Sequence, residues 1–551
     1  MSVYVDESLA MNQVTELDVA VVGAGFAGLY AVHQLRGLGF RVRAYDAAPE
    51  VGGVWYVNRY PGARCDVESL QYSFSFSPEL EQEWRWTHRY AEGPEILAYL
   101  KHVADRFDLR RDISLNTRVD SASFDEESDR WTLRTRDGEH IVARHCIMAT
   151  GGLSTTHVPA FEGLASFTGR CLHTGSWPQT PVDFTGRKVA VIGTGSSGIQ
   201  AIPVLARQAQ HLTVFQRTPN FTIPAHNGPL TDAADAAWKA RYREHRARAK
   251  EIGTLYEFSD RGAMAATAEE REAEYERRWA RGGVNFVHSY NDLMINQASN
   301  DTVADFVRAK IRSIVKDPLT AERLSPRDHP LGTKRICVDT DYWATYNRDN
   351  VRLVDLRADP IVRVTPQGIQ TASELHAIDD IVMATGYDAI TGTMLKIDVR
   401  GVGGQTLKDK WANGPCGYLG VSIAGFPNLF VVTGPGSPSV LVNMVIGIEQ
   451  HIDWIASCLV HLRQHGHTRI DADADAELRW GEHVNEVAHS TLFPKANSWY
   501  VGANIPGKPR RFMLYVAKIG QYRRECDEVA AKGYVGFRLT RQGAEAVVAV
   551  G

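Results

Sequence analysis

Two glycine-rich turns carry the chemistry that is most directly legible in this chain. Gly23, Gly25 and Gly28 form one GxGxxG, and Gly193, Gly195 and Gly198 form another. Between a strand and a helix, such a turn binds the pyrophosphate of a dinucleotide. The first glycine permits the tight turn, the second lets backbone approach the phosphates, and the third lets helix and strand pack closely. The phosphates then face the positive end of the helix. The end of the next strand separates the two ligands. In the first unit that strand, residues 40–46, ends on Asp46, which can accept hydrogen bonds from an unphosphorylated adenosine ribose. In the second, residues 212–216 run into Arg217 and Thr218. A carboxylate there would repel a 2′-phosphate, whereas a guanidinium can pair with it bidentately. The second turn therefore reads as an NADPH site, against the plainer reading of Arg217 as a solvated surface charge.

The strands and helices around these turns are read from hydrophobic spacing. Residues 17–23 (LDVAVVG) form an apolar run of strand length, and Leu29, Ala31, Val32 and Leu35 continue at helical spacing. With residues 40–46 this makes a βαβ unit, and KVAVIGTGSSGIQAI from Lys188 opens a second. CIMATGG (146–152) and IVMATGYD (381–388) are two similar strands, each ending in Ala-Thr-Gly, where the chain crosses between nucleotide units. The fold class is α/β: two Rossmann-like dinucleotide-binding domains with a helical insertion in the second. The expected division runs 1–150 (first domain, first part), 151–222 (second domain, first part, with a linker at 167–178) and 223–332 (insertion). It continues with 333–387 (second domain, second part) and 388–551 (return to the first, and the C-terminal region). Residues 234–281, dense in Ala, Glu and Arg, read as helices with mixed charge on a solvated face.

Composition narrows the partners. The 551 residues are 44% hydrophobic and 23% charged, the balance of a globular protein, and length alone implies several domains. A formal net charge of −4 gives no basic face, which disfavours nucleic acid and anionic membrane as partners. No apolar run approaches the roughly 20 residues of a bilayer span, and the N-terminus lacks the pattern of a signal peptide. Seven cysteines, scattered without a CxxC pair, fit reduced thiols in a cytoplasm.

Between the two units lies FTGRCLHTGSWP, with Phe167, Gly169, His173 and Trp177 in the spacing FxGxxxHxxxWP. This resembles the fingerprint of the type I Baeyer–Villiger monooxygenases, flavoproteins that convert ketones to esters or lactones. GGVWYVNRYPGARCDVES (52–69), PLGTKRICVDTDYWATYNRDNV (330–351) and NSWYVGANIPGKPR (497–510) extend the resemblance, which is most similar to the branch containing phenylacetone and steroid monooxygenases. It implies FAD and NADPH as cofactors, with a ketone and dioxygen as small-molecule partners. In that chemistry NADPH reduces FAD, the reduced flavin traps dioxygen as a C4a-peroxide, and the peroxide adds to the carbonyl before carbon migrates.

The resemblance also implies roles by position. Arg335 matches the arginine that stabilises negative charge on oxygen beside the flavin, and Asp66 the aspartate that orients it. Lys334 and Arg217, with Thr218, match the cations for the NADPH 2′-phosphate. Thr194, Gly195, Ser196, Ser197, Gly198 and Gln200 match the pyrophosphate cradle, and Arg64 the approach to the nicotinamide. Phe26, Gly53, Val54, Trp55, Asp66, Tyr72, Val119 and Met444 match residues around FAD, and Leu441 with Met444 are candidates to line the substrate site. Trp499 matches a loop residue over the nicotinamide, against the plainer reading of a core tryptophan. For His173 a role coupling domain position to NADPH is favoured over a general base. Three rivals remain: a monooxygenase of nitrogen or sulfur, a disulfide reductase (for which Cys65 has no second cysteine nearby in sequence), and a non-catalytic NADPH-binding regulator.

Overall fold

The computed structural model describes residues 14–542, and two sheets with parallel centres carry the two glycine turns. The first is built on Val14–Val22, with Val42–Tyr45 parallel on one side and His140–Met148 parallel on the other. Val19, Ala20 and Val21 are fully buried. Apolar clusters cover both faces of this strand, which is why it reads as a continuous apolar run and not as an alternation. The full order is Asp398–Arg400, Val119–Asp125, Arg130–Thr135, His140–Met148, Val14–Val22, Val42–Tyr45, Ile113–Ser114. Leu429–Val431 adds in parallel to the end of His140–Met148, so the late chain returns to the first sheet. Helix Phe26–Gly37 packs against helix Met444–His465, and Tyr30 donates to Asp453 at 2.6 Å.

Five parallel strands make the second sheet, in the order Val351–Asp355, His211–Gln216, Lys188–Ile192, Asp380–Met383, Arg170–His173. Its edge strand therefore carries Arg170–His173 of the FxGxxxHxxxWP segment. Asp380, fully buried, takes a bidentate Arg170 and also Arg187, so its charge is compensated where it is desolvated.

Element ends differ from the sequence reading in small, explicable ways. The first strand starts at Val14, because its pairing with His140–Met148 extends toward the N-terminus past the apolar run. The second is shorter, Val42–Tyr45. Phe40 is buried in the core without joining the ladder, and Asp46 comes just after the strand.

Thr222–Pro224 and Cys337–Asp339 pair in parallel, and everything between them leaves and re-enters at that pair. The Ala/Glu/Arg-rich stretch forms three helices, Asp232–Lys239, Tyr242–Ile252 and Ala268–Arg281, succeeded by Gln297–Ile314 and Pro318–Leu324. Thr231 caps the first through Ala234 N–H, and Thr267 with Glu270 forms a capping box on the third. The expected solvated face holds only in part. Arg278 is 2% exposed and bonds Glu274 together with the carbonyls of Glu257 and Asn285. Arg246 reaches into the first unit, donating to Glu81 (2.6 Å), Ser73 Oγ (2.8 Å) and Phe74 O (3.1 Å). Helical spacing placed these arginines on a polar face, but Arg246 lies where the insertion docks on the first unit and Arg278 is buried against the insertion's own Glu257 and Asn285.

Breaking a buried pair strands its partner, a loss of about 3–5 kcal/mol. Arg246→Ala should therefore lower the thermal unfolding midpoint clearly. Arg277→Ala, whose side chain is 50% exposed in its pairs with Glu257 and Glu274, should cost at most about 1 kcal/mol. Equal midpoints for the two variants would contradict this placement of Arg246.

Candidate active site

The two glycine turns share one pattern of constraint. A Cβ on Gly23 would lie 2.4 Å from Ala149 O, and one on Gly28 only 1.9 Å from Gly23 O. The second turn repeats this: Gly193 would meet Ala384 O at 2.5 Å and Gly198 would meet Gly193 O at 2.2 Å. Gly23 and Gly193 also take φ of +113° and +108°. The middle glycines are different. The nearest atom to a Cβ on Gly25 is Gly53 Cα at 3.4 Å, and around Gly195 nothing lies within 4 Å. The outer glycines are thus required by the chain's own packing, whereas the middle ones keep backbone open toward a ligand. Helices Phe26–Gly37 and Ser196–Gln208 begin there with no side-chain cap, which leaves first-turn N–H groups for an anion. The residues present therefore fit two dinucleotides.

Around the first turn, the Asp46 carboxylate accepts from Ala24 N–H at 2.7 Å and Ala48 N–H at 2.8 Å. Burial raises its pKa, against the pull of those two donors. The carboxylate thereby locks the turn. Thr117 N–H donates to Asp46 O at 2.8 Å, which brings the start of Val119–Asp125 alongside. Val54 and Trp55 open the short helix Val54–Val57 after Gly53, and Trp55 Nε1 donates to Tyr72 OH at 3.2 Å. Phe26 departs from expectation at its side chain, whose ring packs into the core against Tyr72 and Phe74.

Asp66 and Arg335 meet although 269 residues separate them. Arg335 Nε donates to Asp66 Oδ2 at 3.2 Å, and Val338 N–H donates to Asp66 Oδ1 at 3.4 Å. Burial lifts the Asp66 carboxyl above its ordinary range, while Arg335 and the Val338 amide pull it back. Burial also works against the Arg335 charge, but Asp66 together with Tyr500, Cys65 and Cys337 holds the guanidinium above its already high value. Arg335 thus stays cationic. Asp66 is 6% exposed and Arg335 32%, so one side of the guanidinium is gripped and the other is open. Its Nη1 reaches Val440 O at 3.5 Å. Tyr500, on the short helix Trp499–Val501, lies close enough to Arg335 to couple electrostatically, as does Tyr256 from the insertion. Neither tyrosine stood out in the sequence, because nothing local marks a tyrosine that reaches a distant arginine.

At the second turn, Thr194 Oγ1 donates to Thr218 O at 3.0 Å, and Ser196 Oγ lies 3.1 Å from Cys337 Sγ. Arg217 is exposed, and Lys334 is half-buried one residue before Arg335. Gln200, in the first turns of the helix after the glycines, spends its side chain on the first unit. Its Oε1 accepts from Tyr60 OH at 2.7 Å and its Nε2 donates to Arg64 O at 3.1 Å, so both ends of the amide join the two units. The Arg64 side chain pairs with Glu92 at 2.8 Å. Met444 begins helix Met444–His465, and Leu441 packs in the same cluster as Trp499 and Tyr500.

His173 is buried, with Nδ1 accepting from Gly175 N–H at 2.9 Å and Nε2 3.3 Å from both His157 O and Thr385 Oγ1. Burial lowers its pKa. Both nitrogens are engaged, so no free lone pair serves a general base. Gly169 admits no side chain, since a Cβ would meet Asp379 O at 2.1 Å, while Phe167 and Trp177 pack into the cores on either side. The linker thus holds the edge of the second sheet to the crossing strand. From that crossing, Tyr387 O accepts from Asn504 Nδ2 at 2.7 Å, and Asp388 pairs with Lys508 at 2.5 Å. Both anchor the loop of Trp499, which is partly buried and packs against Tyr500 at 4.5 Å.

A family model described as pyridine nucleotide-disulphide oxidoreductase matches residues 17–246. A Baeyer–Villiger monooxygenase of Pseudooceanicola batsensis is 44% identical over 528 residues, covering 95% of this chain and 96% of that protein. A phenazine N-monooxygenase of Lysobacter antibioticus is 41% identical, covering 96% and 98%. A solved structure of oxidised steroid monooxygenase bound to NADP is 52% identical, with a TM-score of 0.92, covering 96% of this chain and all of that one.

The disulphide description raises the question of thiols. Folding brings Cys65, distant in sequence, to the same arginine that Cys337 follows by two residues, yet all seven cysteines are free. Burial pushes the thiols of Cys65 and Cys337 up to about 12, the reverse of what thiolate chemistry needs. Iodoacetamide at pH 7.5 should leave both unmodified in the native protein and alkylate exposed Cys171 faster. Mass spectrometry of peptides reads this out, and rapid labelling of Cys65 would refute it. His173→Gln should leave the pKa values of the pH–rate profile unmoved, since a neutral, fully bonded imidazole contributes no titration near neutrality.

Proposed function

The chain belongs to the Baeyer–Villiger monooxygenases, flavoproteins using FAD, NADPH and dioxygen, and on that premise we propose how its residues divide the work. When bound, NADPH and FAD supply the two electrons that let dioxygen place one oxygen atom beside a ketone carbonyl, the other leaving as water. FAD belongs to the sheet around Gly23 (1–150 and 388–551), and NADPH to the sheet around Gly193 (151–222 and 333–387). The insertion, 223–332, closes over the space between.

Asp46 and the Gly23–Gly25–Gly28 turn hold the adenosine ribose and pyrophosphate of FAD, and Trp55, Tyr72 and Asp66 wall the flavin end. The Gly193–Gly195–Gly198 turn with Ser196 and Ser197 holds the NADPH pyrophosphate, Arg217 and Lys334 its 2′-phosphate. Arg64 backs the nicotinamide end, and Trp499 covers it and keeps water out.

Arg335 does the electrostatic work. Negative charge grows on oxygen twice in this reaction, and a preorganised cation stabilises it without reorganisation at that moment. A guanidinium serves because it does not surrender its proton to the oxygen it stabilises. Asp66 is the positioning residue: it fixes Nε, Nη1 reaches Val440 O, and the guanidinium stays partly exposed. The observation that carries this reading is that arrangement, a permanently charged Arg335 gripped on one side by Asp66 and 32% exposed on the other.

The substrate is a small-molecule ketone, in a space bordered by Val440, Leu441, Met444, Tyr256 and Tyr500. Seven free cysteines support a reducing compartment such as the cytoplasm, and no helix among the described residues is long and apolar enough to cross a membrane. The phenazine N-monooxygenase relative supports a second reading, oxygenation of nitrogen, which product analysis on paired ketone and aromatic nitrogen-heterocycle substrates separates.

Arg335→Ala should retain FAD and its anaerobic bleaching by NADPH, while ester formation falls by about 10²–10³-fold. Oxygen consumption should then end in hydrogen peroxide. Gas chromatography of ester beside a peroxide assay gives both numbers, and near-normal ester yield would defeat the role assigned to Arg335.

A further inference from the structure

The outer end of the second turn holds more charge than the two cations marked in the sequence. Arg357 Nη2 donates to Asp328 Oδ2 at 2.6 Å and reaches Thr218 Oγ1 at 3.4 Å. Asp328 Oδ1 lies 2.7 Å from Nδ1 of buried His329, whose Nε2 has no hydrogen-bond partner among the described residues. Strand register explains why Arg357 is here. Asp355 is paired with Gln216 on the neighbouring parallel strand, so Arg357 stands level with Thr218, each two residues further on. Lys334 belongs to the same cluster: burial lowers its pKa, Arg217 and Arg357 lower it further, and Asp328 opposes them. Arg217, Lys334 and Arg357 thus share one neighbourhood with the carboxylate of Asp328, while Asp355 Oδ1 accepts from the Arg357 backbone N–H at 3.0 Å.

We infer that Arg357 joins Arg217 and Lys334 in binding the 2′-phosphate of the coenzyme, and that Asp328 is the counter-ion that holds it ready and yields it to the phosphate. The inference rests on the NADPH reading of the second turn. The ion pair is open to solvent, with side chains 51% and 33% exposed, and pairs of that kind contribute at most about 1 kcal/mol. A 2′-phosphate brings close to two negative charges and three acceptor oxygens, and the planar arginine fork suits it bidentately. The phosphate therefore outcompetes the carboxylate for the same donors. NAD⁺, with a hydroxyl at that carbon, leaves the Arg357–Asp328 pair in place and takes nothing from it. Arg357 accordingly sets how strongly the protein prefers the phosphorylated coenzyme, while its exposure leaves it free to re-aim between the two anions.

Isothermal titration of the FAD-loaded protein with NADP⁺ and with NAD⁺ tests this without relying on turnover. Arg357→Ala should weaken NADP⁺ binding by about tenfold or more, the scale of a lost hydrogen bond to a charged group, and change NAD⁺ binding by less than about twofold. Arg357→Lys should fall between, keeping the charge and losing the fork. Asp328→Asn should tighten NADP⁺ binding, because the competing anion is gone. Unchanged NADP⁺ affinity in Arg357→Ala, or equal weakening of both coenzymes, overturns the role of Arg357, and weaker or unchanged NADP⁺ binding in Asp328→Asn overturns the counter-ion role. Arg217→Ala is the control. If it abolishes the preference while Arg357→Ala does not, only this inference fails. If neither shifts the preference, the NADPH reading of the turn fails with it.

Discussion

Asp66 and Arg335 come from distant parts of the chain, and much of the structure is arranged around keeping their charges together. Asp66 sits in a loop of the first unit, and Arg335 in the segment that returns from the insertion to pair with Thr222–Pro224. Desolvation works against both groups, and their attraction offsets it only while the geometry holds. The Val338 amide supplies part of that geometry by donating to the second oxygen of Asp66. The pair thus couples three things: the position of the first loop, the re-entry of the insertion, and the open side of the guanidinium. A shift in any of these alters where the cation lies.

Other contacts hold the same parts in register. Gln200, on the first helix of the second sheet, clasps Tyr60 and Arg64 from the first unit. Arg246 ties the insertion to Glu81, Ser73 and Phe74. Lys508 and Asn504 fasten the Trp499 loop to the crossing strand, the strand that also receives His173 of the linker. The FxGxxxHxxxWP segment therefore matters through geometry. It lies at the sheet edge where the crossing, the linker and the Trp499 loop converge, so the position of one bears on the others.

Titratable groups in the interior are handled in two ways. His173, Cys65 and Cys337 are shifted by burial toward their neutral forms, and their polar atoms are satisfied locally or left inert. Arg335 is shifted toward its charged form by Asp66. A site of this kind concentrates permanent positive charge at one point beside groups that neither donate nor accept protons near neutrality. That suits a reaction in which oxygen must carry negative charge without being protonated early.

Some of this was determined by the sequence alone. The two GxGxxG turns come from local physics: glycine where φ is positive or a carbonyl lies too close, an apolar run before, helical spacing after. The opposite charges of Asp46 and Arg217 set the expectation of two different ribose ends. The segments around Asp66, Lys334, Arg335 and FxGxxxHxxxWP carried the family resemblance. Tertiary structure decided what local pattern does not encode. It turned Gln200 inward to bridge two units and buried Arg246 and Arg278 on a face that spacing marked as solvated. It drew the Phe26 ring into the core and brought Tyr256, Tyr500 and Cys65 to Arg335. Strand order, which no local run of residues specifies, set Arg357 level with Thr218. The physical reason is the same throughout. A residue's type and immediate neighbours fix which bonds it is able to make, but which partner is within reach depends on how distant segments pack.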